Sequence, residues 1–245
     1  PVSSGGIAWS PDGSRLLVTS GDTVRTVAAD GSGTVDVGIM SLSPGTDCLA
    51  DPVWSPDGAT IAGSCTNFDG VTPEQAYLMN PNGSNLRRLT NQQTYPAAFS
   101  STSFAEGEPS WSPTGLKAAF WSFAFGVTIA NADGSNAYSV TGDRPLQVPS
   151  VGFGASPDWS PDGKWVSYFS DGSGEYKLVI ASPEGTTKRE IALVEPSHYY
   201  TPQWSSDAKH ILYHDTGLRL WVLDVASGKA TVVDTDPYMM PDRSL

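Results

Sequence analysis

The chain has 245 residues, with 26 acidic against 14 basic side chains and a formal net charge of −12. Charged residues are 16% and aromatics 10%, which excludes a disordered acidic tail and a coiled coil, because both need more charge and fewer aromatics. With 25 Gly, 19 Pro and 8 Trp, it reads as a turn-rich globular chain, below the Gly and Pro content of low-complexity sequence.

One string recurs along the chain. It is first met as Trp9-Ser-Pro-Asp-Gly13, followed by a β-rich run at 15–19 and a polar turn at Asp30-Gly31-Ser32. The second copy, Trp54-Ser-Pro-Asp-Gly58, precedes a run at 60–64, a turn at Asn82-Gly83-Ser84 and a short run at 87–90. The third, Trp111-Ser-Pro-Thr-Gly115, precedes 117–121 and a turn at Asp133-Gly134-Ser135. The stretch 116–130 is the most apolar in the chain, but Lys117, Ser122 and Gly126 interrupt it. It is two strands and a tight turn rather than a membrane span. The fourth copy, Trp159-Ser-Pro-Asp-Gly163, precedes 164–169 and a turn at Glu184-Gly185. The fifth, Trp204-Ser-Ser-Asp-Ala208, precedes 210–214, an apolar run from Leu220 and a last run at 230–233.

Ser-Pro-Asp-Gly is turn chemistry. Pro presets φ, Asp bonds its own backbone, and Gly takes the positive φ that leads back into a strand. Each unit therefore reads as two hairpins, or four strands, in about 45 residues, the size of one β-propeller blade. The expected fold is all-β: a single β-propeller over residues 1–245 with four-stranded blades beginning near Ile7, Pro52, Pro109, Pro157 and Pro202. Five blades are expected, with six as the alternative. In a five-blade ring the fifth blade must meet the first near Ile7 and Trp9. Thr114, Ser206 and Ala208 depart from the motif and should weaken two turns without breaking the pattern.

The chain has two Cys, Cys48 and Cys65. A hairpin turning at Pro56 and Asp57 sets them opposite each other, so a disulfide is expected, which fits an oxidising compartment. Two reduced thiols are the alternative. The chain opens on Pro1 with no signal sequence, which reads as a processed or trimmed form. Basic residues are scattered, and the pairs Arg87–Arg88 and Lys188–Arg189 read as solvated strand positions. No nucleic-acid partner, no membrane insertion and a monomer are therefore expected.

These five motifs, with their Asp-Gly-Ser companions, resemble the TolB-type propeller repeat. They are also similar to the propellers preceding the hydrolase domain of prolyl-oligopeptidase-type peptidases. The resemblance covers residues 7–233. It implies a secreted or periplasmic envelope protein whose channel mouth engages a protein or peptide partner. No Gly-x-Ser-x-Gly elbow is present, so the peptidase half is not expected.

In a propeller the first strand of each blade lines the channel. Three residues before each motif Trp stand Gly6, Asp51, Glu108, Ser156 and Thr201, and one residue before stand Ala8, Val53, Ser110, Asp158 and Gln203. Asp51, Glu108 and Asp158 are thus candidates to converge near the axis. Five-bladed glycosidases of similar shape place three carboxylates there, so a glycoside hydrolase is one reading. The other is that these side chains satisfy backbone groups where strands enter. The loops at 38–51, 91–108, 142–156 and 195–201 carry Tyr95, Phe99, Phe104, Phe153, His198, Tyr199 and Tyr200. Such rings could stack a glycan, grip a peptide or pack down over the blade ends. The expected binding set is Asp51, Tyr95, Phe104, Glu108, Phe153, Asp158, His198, Tyr199 and Tyr200. His210 and His214 lie on one strand face about 13 Å apart, too far to share a metal ion. No metal site and no cofactor are expected. The function expected is non-catalytic binding of a protein or peptide, with a lectin-like glycan-binding propeller as the alternative.

Overall fold

The computed structural model describes residues 7–20, 23–37, 46–67, 75–89, 109–122, 126–141, 157–170, 177–193 and 201–234. These contain twenty strands in five four-stranded antiparallel sheets, each built from consecutive strands. The first blade holds β1 (Ile7–Trp9), β2 (Arg15–Ser20), β3 (Thr23–Ala28) and β4 (Val35–Asp36). The second holds β5 (Thr46–Trp54), β6 (Ile61–Asn67), β7 (Gln75–Met79) and β8 (Arg87–Arg88). The third holds β9 (Ser110–Trp111), β10 (Lys117–Ser122), β11 (Gly126–Asn131) and β12 (Tyr138–Ser139). The fourth holds β13 (Asp158–Trp159), β14 (Val166–Ser170), β15 (Lys177–Ala181) and β16 (Lys188–Ala192). The fifth holds β17 (Gln203–Trp204), β18 (His210–His214), β19 (Leu220–Asp224) and β20 (Ala230–Asp234). The protein is an all-β propeller of five blades among the described residues. β5 starts well before Pro52, and its pairing with β6 carries irregularities between Cys48 and Ala50 and between Ala50 and Val53.

The motif turns follow from their side chains. In the first, the Ser10 hydroxyl donates to Asp12 Oδ1 at 2.6 Å and accepts the Arg15 N–H at 2.9 Å, while Ser14 N–H donates to the same carboxylate at 3.0 Å. Gly13 takes a φ of 68°, a left-handed conformation that glycine adopts more readily than residues with a Cβ. The pattern repeats at Ser55–Asp57, Ser160–Asp162 and Ser205–Asp207. The motif departures keep the shape at some expense. Ala208 holds a φ of 57°, and Thr114 Oγ1 meets Ser112 Oγ at 3.3 Å, longer than the carboxylate versions.

The middle strands of the third and fourth blades are buried at nearly every position. Since successive side chains point to opposite faces, both faces of these blades are covered, and blades pack through them. Leu17, Val24 and Val37 of the first blade meet Trp54, Ile61 and Met79 of the second. Ala62 and Leu78 meet Trp111 and Phe120, Ala119 and Ile129 meet Trp159 and Tyr168, and Phe169 and Ile180 meet Ile211 and Tyr213. The expected packing of the fifth blade over Ile7 and Trp9 is not what the structure has. Ile7 is 69% and Trp9 58% exposed, because no core cluster among the described residues spans that seam.

Hydrogen bonds tie the outer edges of the packed blades. Thr26 Oγ1 donates to Pro81 O at 3.1 Å, Arg87 to Ala132 O at 3.1 Å and Tyr138 Oη to Pro183 O at 3.0 Å. Arg189 donates to Val225 O and, at 3.2 Å, to Ala226 O. Arg87 and Arg189 are therefore latches between blades rather than merely solvated strand positions.

Candidate functional site

Asp158 is the one proposed channel carboxylate whose side chain is described. It sits in β13, one residue before the motif Trp, where the strand opens against both neighbouring blades. Ser110 Oγ, from β9, donates to Asp158 Oδ1 at 3.1 Å and accepts the Trp159 N–H at 3.2 Å. The backbone N–H of Trp204, from β17, donates to Asp158 Oδ2 at 3.2 Å. The Asp158 carbonyl accepts the Trp204 indole N–H at 3.3 Å and the Ser167 hydroxyl at 3.4 Å. One aspartate thus joins the innermost strands of three successive blades. Burial pushes its carboxyl up to about 6, offset in part by the Trp204 N–H, the Ser110 hydroxyl and the Trp159 backbone. Neither Ser110 nor Trp204, which hold its oxygens, carries a cation to compensate the charge. A carboxyl poised there can hold or release a proton near neutrality, yet both oxygens already serve the blade contacts.

Ser110 is the partner that the sequence reading passed over. Its signal was its position, one residue before Trp111, the same offset as Asp158 before Trp159. Val53 and Ala8 fill that offset in the second and first blades, so the polar tie belongs to the third, fourth and fifth blades alone.

Asp51 lies on β5, backbone only, with its side chain outside the described residues. Tyr95, Phe99, Phe104, Glu108, Phe153, His198, Tyr199 and Tyr200 also lie outside the described residues. His210 is half-buried on β18, with its ring nitrogens 3.9 Å from Asp207 and from Asp224. His214 Nδ1 stands 3.4 Å from Leu218 O. Among the described residues no three His, Cys, Asp or Glu side chains gather as a metal site would require.

A second carboxylate, Asp215, was not anticipated. It is fully buried at the β18–β19 turn. Its Oδ1 accepts the N–H groups of Gly217 and Arg219, each at 2.9 Å. Its Oδ2 accepts Arg219 Nε at 2.6 Å and Trp221 Nε1 at 2.9 Å. Burial opposes its charge, but the Trp221 and Arg219 donors and the guanidinium outweigh it and hold the carboxyl below its usual range. With four donors already engaged, this is a turn brace.

Radially repeated four-stranded blades around strands that open on a shared axis define a β-propeller, and the chain has a TolB-like propeller fold. Among solved structures it is similar to a putative TolB from Agrobacterium tumefaciens, at 20% identity and a TM-score of 0.65 over 93% of this chain and 79% of that one. TolB from Acinetobacter baumannii aligns at 17% identity and a TM-score of 0.66, over 94% of this chain and 54% of its own. An oligogalacturonate lyase in complex with manganese aligns at 15% identity and a TM-score of 0.67, over 94% and 64%. A curated relative, an uncharacterized protein of Agrobacterium fabrum, is 27% identical over 190 residues, 75% of this chain. The chain spans 56% of that relative's length. No protein-family profile matches the chain.

Proposed function

We propose that this propeller is a non-catalytic binding module of a secreted or periplasmic protein, engaging a protein or peptide segment at the mouth of its channel. The observation that carries the reading is the employment of Asp158. Both its oxygens are held by Ser110 and Trp204 across three blades, which suits a rigid rim better than a freely presented general acid. The TolB-like fold supports the same direction, since a rigid scaffold with long, aromatic-rich loops is a common way to present a binding surface. The binding set is Asp51, Tyr95, Phe104, Glu108, Phe153, Asp158, His198, Tyr199 and Tyr200.

The test is a peptide-display selection on the full chain beside a polysaccharide panel that includes oligogalacturonates. It is run on wild type and on the Tyr199→Ala/Tyr200→Ala variant. Peptides enriched on wild type and lost on the variant are expected. Retention of a glycan without peptide enrichment would replace this reading with a lectin. Cleavage of any glycan, abolished by Glu108→Gln, would replace it with an enzyme.

A further inference from the structure

The chain has seven asparagines, and Asn82 alone among them is followed by glycine. That pairing is chemically labile, because the next residue's amide nitrogen can attack the side-chain carbonyl carbon and glycine has no Cβ to shield it. Asn82 is exposed in the turn that joins β7 to β8. The matching turns of the first and third blades carry Asp30 and Asp133 instead. All three turns are built alike. The serine N–H donates to the side-chain oxygen, Ser32 to Asp30 at 2.9 Å, Ser84 to Asn82 at 3.0 Å and Ser135 to Asp133 at 2.8 Å. The glycine N–H donates back across the turn, Gly31 to Ala28 O at 2.8 Å, Gly83 to Asn80 O at 2.9 Å and Gly134 to Asn131 O at 2.8 Å. In the second and third blades, Asn80 and Asn131 also donate from Nδ2 to the serine hydroxyl at 2.9 Å. A carboxylate at position 82 therefore has a ready place, which two sibling turns display.

The turn is also docked on the first blade. Thr26 Oγ1 donates to Pro81 O at 3.1 Å, one residue before Asn82. Gly83 backs onto Val37 so closely that a Cβ there would lie 3.0 Å from Val37 O. Leu86 packs against the cluster of Leu17, Val24 and Val37. While the turn is docked, the Gly83 N–H stays bonded to Asn80 O. Attack on Asn82 requires that nitrogen to lose its proton and turn toward Cγ, so the reaction waits on local opening.

We propose that Asn82 is a site of spontaneous deamidation, gated by the docking of its turn on the first blade. Hydroxide takes the Gly83 amide proton, and the freed nitrogen bonds to Asn82 Cγ. The Cγ–Nδ2 bond breaks, and the amide nitrogen leaves as ammonia with a proton from water. Water then opens the cyclic imide in one of two ways. Opening at Cγ gives aspartate on an unchanged backbone. Opening at the main-chain carbonyl gives isoaspartate, whose chain runs through Cβ and Cγ and gains one backbone atom. Either product adds one negative charge. Aspartate at 82 joins Asp30 and Asp133, whose carboxyls are held below their usual range by the hydroxyl and N–H of Ser32 and Ser135. Isoaspartate lengthens the turn and shifts Pro81 and Gly83 away from Thr26 and Val37. One product thus conforms the second blade to its siblings, and the other loosens its seam with the first.

The test incubates the full chain at mildly alkaline pH, folded in buffer and unfolded in urea. Peptide mass mapping follows all seven asparagines, and isoaspartyl methylation marks the rearranged product. In urea Asn82 should convert faster than the other six, and folding should slow it by roughly tenfold or more. Thr26→Val removes the hydroxyl that holds Pro81 O from 55 residues away. It should speed conversion severalfold in the folded chain and leave the urea rate unchanged. If that variant fails to fold, Leu86→Ala takes its place. Asn82→Asp should match the wild-type Tm or exceed it, whereas the isoaspartyl fraction should melt lower. Faster conversion at another asparagine in urea overturns the site. Equal folded and urea rates, or a folded rate that Thr26→Val does not move, overturn the gating. An isoaspartyl fraction with the wild-type Tm overturns the loosened seam.

Discussion

The Asp158 carboxylate of the fourth blade accepts the backbone N–H of Trp204 in the fifth at 3.2 Å while holding Ser110 of the third at 3.1 Å. Its carboxyl is raised to about 6 from 3.8, so the folded state binds this proton more tightly than the unfolded chain does. The stabilisation from that proton is complete below the unfolded value and is lost as pH rises through about 6. The difference is on the order of 3 kcal/mol. Asn at 158 can accept from Trp204 through Oδ1 and donate to Ser110 through its amide. Asp158→Asn should therefore be as stable as wild type or more so at pH 8, with a flatter profile between pH 4 and pH 7. Urea unfolding at pH 4.5, 6 and 8 checks it. Parallel profiles for the two proteins would remove the buried charge from the account.

Asp215 presents the opposite case. It is buried yet held ionised by four donors. Asp215→Ala leaves the Trp221 indole N–H and the Arg219 guanidinium without their acceptor, at a cost of about 3 kcal/mol. The same urea series should show a large fall in midpoint for Asp215→Ala at pH 7, beside little or none for Asp158→Asn. Because the folded carboxyl lies below its ordinary range, its stabilisation is present above pH 3.8 and disappears as pH falls through the folded value.

Two of the three departures from the motif, Thr114 and Ala208, are correctable. In the regular turns the Ser hydroxyl meets the Asp oxygen at 2.5–2.7 Å, against 3.3 Å between Ser112 and Thr114. Thr114→Asp should gain about 0.5–1 kcal/mol from the shorter, charge-assisted contacts. Ala208→Gly relieves a positive φ of 57° and should gain roughly 1 kcal/mol, net of the freedom glycine adds to the unfolded chain. Each is measured as a shift in urea midpoint at unchanged slope, and a loss of stability in either would mean that the turn does not follow its siblings.

What could be read from the sequence was what the chain encodes locally. Ser10, Asp12 and Gly13 make their turn with one another within four residues, so the five turns, the hairpins and the blade count were legible before any tertiary contact. The partners of Asp158 were not, because Ser110 and Trp204 lie 48 and 46 residues away and meet it only when blades stack. Arg87 looked like a solvated strand residue for the same reason: its acceptor, Ala132 O, belongs to the next blade. The exposure of Trp9 was hidden too, since its motif is identical to copies that are buried. The aromatic loops carry no repeat, so nothing in their spacing fixes where Tyr199 or Phe104 points.

The backbone register sets Cys48 directly opposite Cys65 on β5 and β6, which is the placement a cross-strand disulfide requires. We expect the purified protein to carry that bond if it folds in an oxidising compartment. Intact mass should then lie two hydrogens below the dithiol value, and alkylation should label both cysteines only after reduction. The bond would close a loop of about 15 residues, so reduction should cost about 3 kcal/mol on the chain-entropy account. Cys48→Ser/Cys65→Ser should lower stability by a similar amount, and reduction should then have no further effect. Full alkylation without reductant, in protein recovered from an oxidising compartment, would assign both residues to thiols and withdraw one support for an envelope location.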